Sequence, residues 1–356
     1  MQTEQNVNTG STGSLGLEHR SFDRYYINYP HGVIQDITPV ARLVELAGSA
    51  LERRRGGVTR CVGRALVTDT VLEEILGTEH LATTIEAAVP TGVHIQSASG
   101  ENREVWMILG ALNHASRASI YITEEMAGEV AASRNNHKKS PFERIHEARS
   151  DGYIFVPYIQ AEHVDEVVGM WGPTFGWKRE GVEALQVRLG EELEQKPENR
   201  AVWYSGLLDK DGHLAAVATG ERLDMPIGDG RFLSVVESTE WRRSDGISRH
   251  GLMSATVSHL HAQIFRDLAS ENPLIIAETN FRSRAHNVGF AAGMDVPPRI
   301  IEGSPVYQTL IQNVSVGDGL TPEGLRDFTM MYISDTARDT LYSPLLCAAM
   351  LQEGNI

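Results

Sequence analysis

The segment Glu237-Ser-Thr-Glu-Trp-Arg-Arg-Ser-Asp-Gly-Ile-Ser-Arg-His-Gly-Leu-Met253 decides the reading of this chain. It follows an apolar, β-branched run at 231–238, which reads as a strand. It precedes 251–268, where Met253, Val257, Leu260, Ile264 and Leu268 recur at helical spacing. A strand that passes through Arg, Ser and Gly into a helix start is suited to holding phosphate. The free N–H groups of the first helical turn and the positive end of the helix dipole meet the anion there. Gly251 permits close approach of a ligand to the backbone, and Arg242, Arg243, Arg249 and His250 supply local positive charge. The bland alternative is an ordinary strand-to-helix turn with exposed arginines.

Working outward, 153–160 reads as a strand and 161–170 as a helix. Thr174-Phe175-Gly176-Trp177 reads as an aromatic turn, and 180–194 as a second helix with Val182, Leu185, Leu189 and Leu193 on one stripe. Strands at 201–208 and 214–221 are joined by Asp209-Lys210-Asp211-Gly212-His213, a good hairpin turn. Beyond the central helix come a strand at 273–279, a helix at 284–292, and strands at 306–316 and 328–333. The order over 152–335 is therefore β-α-α-β-β-β-α-β-α-β-β, helices against a mostly antiparallel sheet.

The N-terminal part reads differently. Residues 1–21 are rich in Gly, Ser, Thr, Asn and Gln and are expected to form a disordered tail rather than a secretion signal. Residues 22–124 read as a small α/β domain: a strand at 25–34, a helix at 37–55, short strands at 58–62 and 82–89 around a helix capped at Thr68 or Asp69, and a strand at 104–112. No glycine-rich phosphate loop follows a strand there, so no chemistry is assigned to it. Residues 125–151 turn polar and charged, with Asn135-Asn136-His137-Lys138-Lys139-Ser140-Pro141, and read as a solvated linker. Residues 336–356 read as a C-terminal tail.

Bulk properties set limits. The chain has 356 residues, long enough for two domains, with 41% hydrophobic and 22% charged residues. Lys+Arg 32 against Asp+Glu 47 gives a formal charge of -15, which disfavours nucleic acid and anionic membrane as partners. Small cationic substrates suit such a surface. No run approaches a membrane span. Two isolated cysteines, Cys61 and Cys347, argue against a disulfide framework or zinc knuckle, so a cytoplasmic location is expected and no metal. His259 and His261 are two apart on a helix and point to nearly opposite sides, which suits structural roles. Gly228-Asp-Gly230 and Gly317-Asp-Gly319 sit in turns.

Element order and motif together resemble the GNAT acyltransferase superfamily, whose pyrophosphate loop is Arg/Gln-x-x-Gly-x-Gly/Ala. Two registers fit, Arg243-Ser-Asp-Gly246-Ile-Ser248 and Ser248-Arg-His-Gly251-Leu-Met253. The second is preferred because it keeps Gly out of the helix interior, where it would cost ~1 kcal/mol. Its leading Ser departs from the family pattern. The chain is most similar to β-lysine N-acetyltransferases within that superfamily. The aromatic segment Trp171-Gly-Pro-Thr-Phe175-Gly-Trp177, the helix start Gly251-Leu252-Met253, Leu310-Ile-Gln-Asn313 and Phe328-Thr-Met-Met-Tyr332 resemble that family's patches.

The resemblance implies an α+β fold: a C-terminal GNAT domain, its mixed and mostly antiparallel sheet flanked by helices, preceded by the small α/β domain. It also implies acetyl-CoA as acyl donor and a small, amino-acid-like amine as acceptor. Backbone N–H groups near Val236 and Ser238 would polarise the thioester carbonyl. The pyrophosphate would be held by Arg243, Ser248, Arg249, His250, Gly251, Leu252 and Met253, with Asn280 beside the pantetheine. A carboxylate should deprotonate the amine, Glu237 first and Glu240 second. Phe175, Trp177 and Asn313 are expected to line the acceptor site, although core packing is the plainer role for Phe175 and Trp177. The family's Tyr four residues before a Gly-Phe pair is missing, since Ala285 and Gly289 fill the corresponding slots. Tyr332 is the substitute acid, unless the thiolate departs unaided. Two alternatives stand beside this reading: a catalytically inactive acyl-CoA-binding or interaction module, and an enzyme acylating a protein or peptide. A homodimer is an open alternative to a monomer.

Overall fold

The structure, a computed structural model, describes residues 16–20, 24–29, 31–53, 60–97, 99–113, 124–135, 137–245, 247, 251–280, 285–297, 311–315 and 325–352. The chain divides into two compact units: residues 1–127 with 225–233 and 296–330, and residues 128–224 with 234–295 and 331–356.

The first unit begins with β1 (Gly16–Arg20) and β2 (Arg24–Asn28), followed by α1 (Thr38–Glu52). Then come β3 (Arg60–Thr68), α2 (Asp69–Gly77), α3 (Glu79–Ala82), β4 (Ile85–Gln96) and β5 (Asn102–Asn113). The sheet order is β1-β2-β3-β5-β4, with only β2 and β3 parallel. Thr68 caps α2 by accepting from the Val71 amide, one of the two caps expected. The expected strand at 82–89 starts later, because α3 takes Glu79–Ala82, and β4 then forms a long hairpin with β5. The apolar stripes of α1 and α2 (Val40, Val71, Leu72, Ile75) pack with Val67, Ile85 and Ile108 of the sheet.

Residues 125–151 are not the expected linker. They hold α4 (Glu124–Asn135) and α5 (Pro141–Ser150). Ser140 and Glu143 form a capping box at the start of α5, and Ile145 and Ala148 are buried. The polar run that suggested a linker is a helix start: Ser140-Pro-Phe-Glu143 is a cap, a proline at the first helical position and the capping acid.

The second unit continues with β6 (Ile154–Val156), α6 (Val164–Phe175), α7 (Arg179–Leu193), β7 (Val202–Leu208) and β8 (Leu214–Arg222). The single strand expected at 231–238 is split. The hairpin β9 (Met225–Gly228) and β10 (Arg231–Leu233) belongs to the first unit, while β11 (Val235–Arg243) starts after Ser234 and runs farther than expected. Next are α8 (Leu252–Asp267), β12 (Leu274–Asn280) and α9 (Ala285–Ala291). β13 (Ile311–Ser315) pairs antiparallel with β14 (Leu325–Tyr332), which passes from the first unit into the second after Met330. The expected C-terminal tail instead carries α10 (Asp335–Leu341) and α11 (Pro344–Leu351), and α11 packs on α8 and α5.

Within the second unit the strands lie in the order β12-β11-β8-β7-β6, antiparallel except for β11 beside β12. The fold is thus α+β, a mixed sheet flanked by helices. α6 and α7 share a core with Val202, Tyr204, Leu214 and Val217 of β7 and β8. The other face carries α8, which meets β7, β8 and β11 as well as α5 and α11, so most of its polar side chains (Ser254, Thr256, Ser258, His259, His261, Gln263 and Asp267) are buried. His259 bonds Ser205 Oγ at 3.0 Å and His261 bonds Ser238 Oγ at 3.0 Å. Burial pushes both imidazoles down to about 3, so both are neutral struts. At the end of α8, buried Asp267 accepts from Arg200 and from Trp203 Nε1.

Candidate active site

The parallel pair of β11 and β12 is short. Val235, Val236 and Glu237 stand opposite Leu274, Ile275 and Ile276, and the pairing ends there, although β11 continues to Arg243 and β12 to Asn280. The two strands part at Glu237, leaving a wedge between them. β11 also bends. Thr239 stands opposite Thr219 and Arg242 opposite Val217, so three steps on β11 match two on β8, and the extra residue makes a β-bulge. Glu240, in the bulge, has φ 56, a left-handed conformation rare for a side-chain-bearing residue. Such backbone costs about 1–3 kcal/mol and persists where its surroundings impose it.

Its surroundings do impose it. Trp171 Nε1 donates to the Glu240 backbone carbonyl at 2.9 Å, and Trp177 Nε1 donates to its Oε1 at 2.5 Å. Thr219 Oγ1 donates weakly to Oε2 at 3.4 Å. Burial pushes the Glu240 carboxyl up to about 8, opposed by the Trp177 and Thr219 hydrogen bonds and reinforced by the negative charges of Glu221 and Glu237. Glu221 stands directly opposite Glu237 across β8 and β11. The site therefore holds a carboxyl whose proton is exchangeable near neutral pH, on a strand edge that opens into a wedge.

The two faces of β11 divide the expected residues. Val236 is buried beside Ile264 of α8, and Ser238 is buried with its hydroxyl tied to His261 and to Trp241 Nε1 at 3.0 Å. Val236 lies within the stretch paired to β12, and Ser238 is the first residue of β11 beyond it. Alternation puts Glu237 on the opposite face, where Glu240 meets Trp177. Phe175 and Trp177 are half-buried against the core of α6 and α7, and Trp177 spends its donor on Glu240. Arg243 stands opposite Ala216 and, with Arg242, lines a cavity of about 280 Å³ against Glu166, Gly169 and Met170 of α6. Arg242 is paired with Asp245 at 3.2 Å. Tyr332, at the end of β14, exchanges backbone hydrogen bonds with Asp295 at 2.7 and 2.8 Å. Burial and then Asp295 raise its phenol above the usual tyrosine range.

At the helix start, Gly251 has φ 92 and immediately precedes α8, whose first turn contains no acidic residue. Leu252 is buried and Met253 half-buried. Arg144 of α5 reaches this point: its Nη1 lies 3.6 Å from where a Gly251 side chain would begin, and its Nε is buried without a hydrogen-bond partner. Ser248, Arg249 and His250 lie outside the described residues, as do the side chains of Asn280 and Asn313.

Sequence reasoning missed Arg144, Thr219 and Glu221, and it read Trp171 with Phe175 and Trp177 as pocket lining or, more plainly, core packing rather than as a donor to Glu240. Thr219 and Glu221 share one face of β8 by period-two alternation, but only the register with β11 sets them beside Glu237 and Glu240. Arg144 was hidden by reading its helix as linker. Among the described residues no group of three His, Cys, Asp or Glu is placed to hold a metal, and no helix is long and apolar enough to cross a membrane.

No protein-family model matches the chain, and no curated protein matches it. Solved structures to which part of the chain is similar include a protein described as a putative acetyltransferase from Acinetobacter baylyi ADP1, at 14% identity and TM-score 0.35 over 51% of this chain and 91% of that one. NAA60 of Arabidopsis thaliana in complex with a bisubstrate analogue is 9% identical, with TM-score 0.35 over 51% of this chain and 98% of that one. The spermidine N-acetyltransferase SpeG of Vibrio cholerae is 10% identical, with TM-score 0.33 over 53% of this chain and 96% of that one. The chain is thus similar, over about half its length, to solved acetyltransferases.

Proposed function

We propose that the second unit is an acyl-CoA-dependent N-acyltransferase of the GNAT superfamily, transferring an acetyl group to the amine of a small substrate. The observation that carries this reading is the parting of β11 from β12 after Glu237 and Ile276, one strand of the pair leading on to the Gly251 start of α8. A wedge of this kind gives an extended thioester ligand backbone to lie against, and a helix start gives its diphosphate a home.

The residues present fit acetyl-CoA. Gly251 lacks the side chain that would crowd an anion, Arg144 offers a buried N–H without a partner, and the first turn of α8 adds its amides. Leu252 and Met253 would belong to that cradle, and Ser248, Arg249 and His250 are assigned to it from sequence. Acetyl-CoA supplies the acyl group. The backbone N–H groups near Val236 and Ser238 would polarise its carbonyl. Glu240, held near neutrality by burial, would take the proton from the incoming ammonium, with Glu237 and Glu221 attracting that cation to the site. Tyr332 is the proposed donor to the departing thiolate.

The acceptor we infer is a cationic, amino-acid-like amine of the β-lysine type, with Phe175 of the turn between α6 and α7 beside it. The protein is read as cytoplasmic, with no nucleic-acid or membrane partner. Titration calorimetry with acetyl-CoA, followed by thiol release over a panel of amines, tests the proposal. Amine-dependent thiol release is expected. Failure to bind any acyl-CoA defeats the reading, and binding without turnover replaces it with a sensing or interaction module, which the missing Tyr before a Gly-Phe pair would favour.

A further inference from the structure

We propose that Trp171 and Trp177 are positioning residues for the reaction, a pair of indole donors that fix the backbone and the carboxyl of Glu240 in place. The inference rests on the proposed acyl transfer and assigns these two side chains to the base instead of to the acceptor.

The geometry is specific. The rings are tilted at 45° with centroids 5.5 Å apart, yet their N–H groups reach two different atoms of the same residue, the backbone carbonyl and Oε1. Trp171 comes from the last turns of α6 and is fully buried. Trp177 follows Gly176, whose left-handed φ of 73 ends α6 and turns the chain back toward β11. Gly181, in the first turn of α7, lies under the Trp177 ring, and a side chain there would begin 3.0 Å from Cε3. The turn between α6 and α7 is thus built to seat an indole against the bulge.

The chemistry follows from the donor. An indole N–H donates and never accepts, so it favours the charged carboxylate over the acid. It opposes the burial that raises the carboxyl, and it directs the second oxygen away from the indole. The titratable groups facing Glu240 among the described residues are Glu221 of β8 and Glu237 of β11, and both act in the opposite sense. Thr219 adds a weak donor from β8. Without Trp177 the proton is held more tightly, and fewer molecules carry a competent base at neutral pH.

The test uses the full chain labelled with ¹⁵N-tryptophan, which gives five indole resonances, one for each Trp. The Trp177 indole resonance is expected to move in one transition centred near 8, and to stay fixed in Glu240→Gln. Trp177→Phe keeps the ring and removes the donor. Its kcat/KM should fall about tenfold at pH 7 and recover above pH 9, since a base that titrates about one pH unit higher is tenfold less populated at pH 7. A merely structural role would lower activity equally at every pH. The resonance measurement needs no variant at Trp177, so a misfolded Trp177→Phe protein leaves the test intact. An indole resonance that is flat from pH 6 to 10 in an active chain overturns the clamp alone. A titrating resonance in a chain that acetylates no amine overturns the reaction, and the positioning role with it.

Discussion

Replacing Glu240 by Gln should change the pH dependence of stability as well as activity. In the native protein the Glu240 carboxyl is pushed by burial from the ordinary 4.5 up to about 8. As pH rises through 4.5 the unfolded chain releases this proton while the native protein still holds it. Native stability from this group is therefore complete below 4.5, falls between 4.5 and about 8, and is level above that. At about 1.36 kcal/mol per pH unit the interval sets a ceiling of about 5 kcal/mol, and relaxation around a half-buried side chain reduces it to ~2 kcal/mol. Gln has nearly the same shape, keeps an oxygen for Trp177 Nε1 and carries no proton to lose. The assay is urea unfolding of both proteins at fixed pH from 4 to 9.5, followed by tryptophan fluorescence. Four of the five tryptophans (Trp171, Trp177, Trp203 and Trp241) lie in the second unit, so the signal reports mainly on it. The Gln variant should match wild type near pH 4 and exceed it by ~2 kcal/mol at pH 9. A difference that stays constant with pH, or that moves in favour of wild type as pH rises, refutes the reasoning.

Other substitutions probe the cofactor cradle and the frame. Arg144→Ala should weaken acetyl-CoA binding by about tenfold or more, the worth of one charge-assisted hydrogen bond, with little change in thermal stability, and calorimetry measures it. Gly251→Ala places a side chain at φ 92 and should cost about 1–2 kcal/mol in denaturant unfolding, along with weaker acetyl-CoA binding. Asp267→Ala strands the buried Arg200 guanidinium and should destabilise the second unit by about 3–5 kcal/mol without altering the pH profile of any activity.

Much of the second unit was legible because its signals are local. The stripe Val182, Leu185, Leu189 reads as a helix, Asp209 to His213 reads as a hairpin, and Gly251 sits where the helix starts. What stayed hidden depends on contacts between distant parts of the chain. The break between β10 and β11 falls within one apolar run, and nothing local separates the two strands. The bulge at Glu240 exists because β8 pairs out of step with β11, and the indoles that stabilise it lie 63 and 69 residues away in sequence. The sequence reading ranked Glu237 above Glu240, and only the bulge, which no local signal announces, gives Glu240 its burial and its donors. At α5 the failure was of a different kind, because the capping box Ser140 to Glu143 was present in the sequence and its polarity was read as solvent exposure.

The most direct test of the central claim is thiol release from acetyl-CoA, measured with and without an amine panel from pH 6 to 10, in wild type and in Glu240→Gln. Release is expected to require an amine, to rise with pH as the carboxyl near 8 gives up its proton, and to fall by orders of magnitude in the Gln variant. Release that is absent with every amine, or that proceeds equally well in Glu240→Gln, would contradict that claim.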